Sequence, residues 1–326
     1  MFKNKKGMAV VAVFCMVVVC TSFFACSKKD GSASAGSGTE AGVVGKKKIK
    51  KAKLPTKPNA ETDFEVNLTS DSKGAKVTKY LGKGGGVYIP ATIQGLPVKE
   101  VDIEISRTAG VTALVVSDGC EYVRVYSDKD EYGERTVLEI TNISLPDSVE
   151  TYNLRNTMIT EFEVPASAKK VGRLPVTLEK VSFRGVPGEI YDGAFEGSLL
   201  TSVVLPEGMK RINREVFYNC KKLVSVTLPD SIEFIGSNKG DAGVFAECTS
   251  LESINLPAKL YAVYGPAFKN CSSLTKVDIP ESLLPESGEL FGKVKFYDTS
   301  AFEGCNSLPL ATQAQLKDLG YTWGKF

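Results

Sequence analysis

The chain has 326 residues, of which 43% are hydrophobic and 24% charged, a balance that fits a folded protein and excludes wholesale disorder. It contains no histidine, so the commonest general base, the commonest zinc ligand and the usual partner of a nucleophilic Ser or Cys are missing, and only mechanisms built on carboxylates, Lys or Tyr survive. The net charge of +2 divides unevenly: residues 1–25 hold +3, residues 26–60 hold +7, and the body is left with −8, the wrong sign for a nucleic-acid binder.

In chain order, Lys3, Lys5 and Lys6 precede an apolar run from Met8 to Ala25, and residues 1–25 read as an export signal. The ending Ser22-Phe23-Phe24-Ala25-Cys26 resembles a lipoprotein signal, in which the cysteine is lipidated and becomes the new N-terminus; its phenylalanines resemble the looser spirochaetal form. That resemblance makes Cys26 the membrane anchor. The alternative is an uncleaved membrane helix, because the run reaches the lower limit for spanning a bilayer. Residues 26–60, rich in Lys, Gly and Ser and interrupted by Pro55 and Pro58, read as a tether with too few large apolar side chains to fold. Its lysines suit anionic lipid headgroups, or equally a solvated linker.

Beyond residue 60 the chain repeats itself. A pattern Leu-x-x-Val-x-Leu-Pro begins at Leu200, Leu223, Leu251 and Leu274, and looser copies begin at Val98, Val111, Ile140, Ile159 and Leu178. The nine starts lie 13 to 29 residues apart. A second half-unit sets Phe three residues before Cys, as in Phe217 and Cys220, Phe245 and Cys248, Phe268 and Cys271, and Phe302 and Cys305; after Phe195 the cysteine is replaced by Ser198. The fourth and sixth positions alternate with polar residues, the period of a strand with one buried face, and Pro ends that strand. One unit buries about five large apolar groups, roughly 8–15 kcal/mol, while fixing each backbone costs about 1–2 kcal/mol. A unit alone would unfold, so the units must stack.

These residues resemble the BspA-like, treponemal-type leucine-rich repeats of bacterial surface lipoproteins, most strongly over 140–308. The resemblance implies a strand-rich α/β leucine-rich-repeat solenoid with a parallel sheet on one face and short turns or 3-10 segments on the other. Residues 61–110 would form a hairpin-like N-terminal cap and a first irregular repeat, with Gly84-Gly85-Gly86 as the hairpin turn. Residues 111–305 would carry the repeats. Residues 306–326 would close the other end with a short helix, Ala311 to Leu319, stopped by Gly320. The units at Ile140 and Ile159 depart from the family in lacking Phe and Cys.

Four of the five body cysteines share one repeat position, which suggests a ladder of buried thiols; disulfides between coils are the alternative. Asp128 to Glu139 mimics a calcium loop but has Tyr132 where a ligand belongs, so a polar hairpin is the plainer reading. No cofactor, metal, catalytic residue or small-molecule substrate is expected.

If the fourth and sixth positions point inward, the second, third and fifth line an open strip. Its candidate protein-binding residues are Thr160, Glu161, Glu163, Lys180, Ser182, Ser202, Val204, Ser225, Thr227, Ser253, Asn255, Lys276 and Asp278. Nine strands would make this strip roughly 38 Å long and about 10 Å wide, about half of what one partner contributes to a stable interface. The resemblance implies adhesion or protein interaction at the outer membrane, facing a host or extracellular-matrix protein. A periplasmic scaffold is the second reading and a carboxylate-dependent enzyme the third.

Overall fold

The computed structural model of the protein describes residues 49–238, 242–286 and 293–323, all within one compact unit that begins at residue 48. The export signal, Cys26 and most of the tether lie outside the described residues.

Alternation makes the strands. In the copy starting at Leu200, the side chains of Leu200, Val203 and Leu205 are buried, whereas Thr201, Ser202 and Val204 face water. Parallel pairing then sets equivalent residues side by side: Val203 opposite Val226, Val226 opposite Ile254, and Ile254 opposite Val277. Because a one-residue slip would turn every apolar side chain outward, the buried face holds this register while unequal loops absorb the unequal spacing.

Among the described residues this first ladder has nine strands: Gly85–Ile89, Val111–Val116, Asn142–Ser144, Glu161–Val164, Lys180–Phe183, Ser202–Val204, Ser225–Thr227, Ser253–Asn255 and Lys276–Asp278. They define coils one to nine and pair as groups of three, two and four. The copy starting at Val98 is a correction: its strand, Leu96–Ile105, lies on the opposite face, between Ala75–Tyr80 and Tyr122–Ser127. The first coil is instead Gly85–Ile89, followed by Pro90, with Val87 opposite Leu114 and Ile89 opposite Val116. Gly84 stands where Leu opens the other copies, which hides this unit from the pattern.

The opposite face carries more than the turns and 3-10 segments expected there. It holds a second parallel ladder of Leu96–Ile105, Tyr122–Ser127, Thr151–Asn153, Lys170–Val171 and Glu189–Ile190, continued by the two-residue strands Arg211–Ile212, Phe234–Ile235, Ala262–Val263 and Lys295–Phe296. The capping hairpin exists, but it is Phe64–Leu68 paired antiparallel with Ala75–Tyr80, and its turn runs from Thr69 to Gly74. Gly84 and Gly85, both at positive φ, lead into the first coil.

The Phe and Cys half-units build a third column. Phe195, Phe217, Phe245, Phe268 and Phe302 stack with ring centroids 4.9 to 5.3 Å apart, and all are buried. Such contacts add about 0.5–1.5 kcal/mol each beyond burial. Each repeat thiol donates to the carbonyl of a phenylalanine one coil earlier: Cys220 to Phe195, Cys248 to Phe217, Cys271 to Phe245 and Cys305 to Phe268, at 3.0 to 3.1 Å. The five cysteines among the described residues are free thiols. Two residues after each Phe, the backbone is left-handed at Gly197, Asn219, Glu247, Asn270 and Gly304. Gly and Asn tolerate that conformation best, which accounts for most of the residues found there.

The closing helix is Leu310–Asp318. Gly320 follows at φ 101, its N–H bonds to Lys317 O, and Tyr321 N–H bonds to Leu316 O, so both end carbonyls are satisfied while Leu316 and Tyr321 stay buried.

Candidate functional site

The thirteen strip residues share one face. Glu161, Glu163, Lys180, Ser182, Ser202, Val204, Thr227, Lys276 and Asp278 are exposed, and Thr160, Ser225, Ser253 and Asn255 are half-buried. Not all are free to meet a partner. The Asn255 amide accepts from Leu228 N–H at 2.8 Å and donates to Leu228 O at 2.6 Å, which splices two coils together. Lys276 and Asp278 pair with each other at 2.9 Å. Glu163 lies 3.4 Å from Arg184, which also pairs with Asp147 at 2.8 Å.

Residues 49–59, the end of the segment read as a tether, belong to the same compact unit as the repeats. Residues 51–59 lie along the strip from coil four back to coil one. Lys51 pairs with Glu161 at 3.3 Å; Ala52 donates to the Thr141 hydroxyl at 3.0 Å and accepts from Asn142 at 2.8 Å; Asn59 exchanges two bonds with the backbone of Tyr88. Pro55 sits so close over Gly86 that a Cβ there would meet it at 2.8 Å. Lys51 and Leu54 form part of the wall of an open groove of about 580 Å³, whose floor comes from coils three to six. Strands of all three pairing groups therefore contribute to one continuous surface.

Glu161 also lies 3.4 Å from Lys180. Hydrogen bonds from Lys51 and then Lys180 hold its carboxyl below the usual range. Glu161 is thus an exposed carboxylate paired with two lysines, a poor environment for the raised pKa that a general acid needs.

Large aromatic side chains absent from the strip lie elsewhere. Tyr191, Tyr261 and Tyr297 are exposed, and Tyr261 and Tyr297 adjoin the second ladder beside Phe234, Tyr264, Arg211 and Lys295. The sequence reading missed this ridge because each residue comes from a different coil in the less regular half of the unit. The calcium-like segment is a polar hairpin: Asp130 accepts from Tyr132 and Glu134 N–H, Lys129 bridges to Arg135, and Asp128 accepts from Arg107 and Ser106.

Residues 188–321 match the BspA type leucine rich repeat region in six copies. Similar solved structures include a T. pallidum leucine rich repeat protein, 25% identical over 82% of this chain and 98% of that one, with a TM-score of 0.42. A leucine-rich repeat protein from Bacteroides ovatus is 20% identical over 76% of this chain and 80% of that one, with a TM-score of 0.36. A leucine rich cell surface protein from Faecalibacterium prausnitzii is 18% identical over 83% and 99%, with a TM-score of 0.28. No curated protein matches the chain. With six copies of the repeat, a strand-rich solenoid and the stacked phenylalanines that hold it, the chain carries a BspA-type leucine-rich-repeat region at residues 188–321.

Proposed function

We propose that the chain is a non-catalytic scaffold of the cell envelope, anchored by a lipid on Cys26, which meets a protein partner through the open strip of the first ladder. The carrying observation is that the outward positions of successive coils are presented in register on one rigid face, backed by buried aliphatic side chains. The small width of the strip makes a single contact weak, so several copies displayed on one membrane would act together. An outer-membrane position facing a host or extracellular-matrix protein accords with the resemblance of the repeat.

Binding of the multivalent chain to immobilised matrix proteins tests the reading. Val204→Arg with Thr227→Arg should weaken capture at least tenfold, whereas Tyr261→Ala with Tyr297→Ala on the opposite ladder should leave it unchanged. No capture by multivalent protein, or loss only with the tyrosines, would overturn it. The anchor is tested separately: radiolabelled palmitate should enter the wild type and not Cys26→Ala, and protease added to intact cells should digest a surface-facing chain.

A further inference from the structure

The strip already grips one extended peptide, its own. That grip uses the second and third positions of the motif: Thr141 and Asn142 hold the amide and carbonyl of Ala52, and Glu161 holds the ammonium of Lys51. The bound segment runs along the solenoid axis, across the strands, with Lys51 over coil four and Asn59 at coil one. The same chemistry continues beyond it. Thr201, Ser202 and Ser225 offer hydroxyls at those positions, and Glu179 and Glu252 present exposed carboxylates that have no ion-pair partner among the described residues.

We infer that the open part of the strip, from coil five to coil nine, takes an extended, lysine-bearing segment of a protein partner, laid along the axis as residues 51–59 are laid over coils one to four. The inference rests on the proposed function and names the chemistry of its partner. Coil spacing sets the pattern: Glu179 in coil five and Glu252 in coil eight are three steps of about 4.8 Å apart, roughly 14 Å. An extended chain advances about 3.4 Å per residue, so lysines four residues apart reach both. The acidic charge of the body favours such a ligand, and exposed pairs make the attraction modest and salt-sensitive.

The probe is a fluorescein-labelled nonapeptide of Ser, Pro and Leu with two lysines four residues apart, titrated into the detergent-solubilised full chain at low and at physiological salt. Saturable binding is expected, weaker at higher salt, reduced roughly fivefold by Glu179→Gln and by Glu252→Gln singly, and absent for the peptide with glutamates in place of lysines. Both glutamates are exposed, so neither change threatens the fold. Equal binding of the two peptides, or indifference to both substitutions, would overturn the inference. So would binding that emerges only after Lys46, Lys47 and Lys48 are changed to Gln, which would make the chain's own lysines the occupant. If matrix capture falls in the Val204→Arg, Thr227→Arg variant yet ignores Glu179→Gln and Glu252→Gln, the inference fails and the proposed function stands.

Discussion

Asp102 concentrates the electrostatics of the second ladder. It accepts from Arg124 Nε at 2.6 Å and Nη2 at 2.9 Å, lies 3.3 Å from Lys76 Nζ, and has a side chain only 14% exposed. Burial pushes its carboxyl up, but the bonds and charges of Arg124 and Lys76 outweigh burial and hold it below the ordinary value of 3.8. The unfolded chain therefore takes up the proton more readily. Asp102 contributes stability that is fully present above the ordinary value and is lost as pH falls through the lowered one. Asp102→Asn should cost about 1–2 kcal/mol at pH 7, and urea melts of variant and wild type should converge in acid. A cost independent of pH would mean that shape, and not charge, is what Asp102 supplies. At this scale the motif marked which residues point outward, but not that Asn255 is spent on a neighbouring backbone while Ser202 is not, because such bonds depend on the coil next door.

Coils touch through their backbones where the second ladder narrows to two residues. A Cβ on Gly172, just after Lys170–Val171, would lie 1.6 Å from the carbonyl oxygen of Tyr152. Only a shift of one coil against the next could admit it, so Gly172→Ala should destabilise by about 2–3 kcal/mol in thermal or urea unfolding. Ser182→Ala, on the exposed strip, should stay within about 0.5 kcal/mol; similar costs for the two would refute tight coil contact. Element type was legible wherever alternation and Phe-x-x-Cys recur. It misled at Val98, where an alternating run serves the opposite ladder: period two reports that a strand has a buried face, and both faces of this solenoid bury theirs.

A stack in which each coil meets mainly its neighbours depends on its ends. The edge strand of the second ladder, Leu96–Ile105, is covered by the antiparallel hairpin of Phe64–Leu68 and Ala75–Tyr80. At the other end Tyr321 packs edge-on against Phe302 and Phe296, donates to Thr299 O at 2.7 Å and accepts from Phe302 N–H at 3.2 Å. Tyr321→Phe leaves a buried N–H unpaired and should cost about 1–3 kcal/mol. If coupling is nearest-neighbour, hydrogen exchange should quicken around Phe302 to Leu308 and not in Val111–Val116. A uniform rise along the chain would instead indicate one cooperative unit.

From its residues alone the chain determined the repeat, the inward positions, the shared column of Phe and Cys, and the closing helix, because each is written in spacings shorter than one coil. Tertiary structure decided which ladder the run at Val98 joins, where the capping hairpin turns, and that residues 51–59 lie on the strip. Lys51 and Glu161 are 110 residues apart, and a contact across that separation leaves no local period to read. It exists only once stacking has brought four coils beneath the segment, with their polar positions in register.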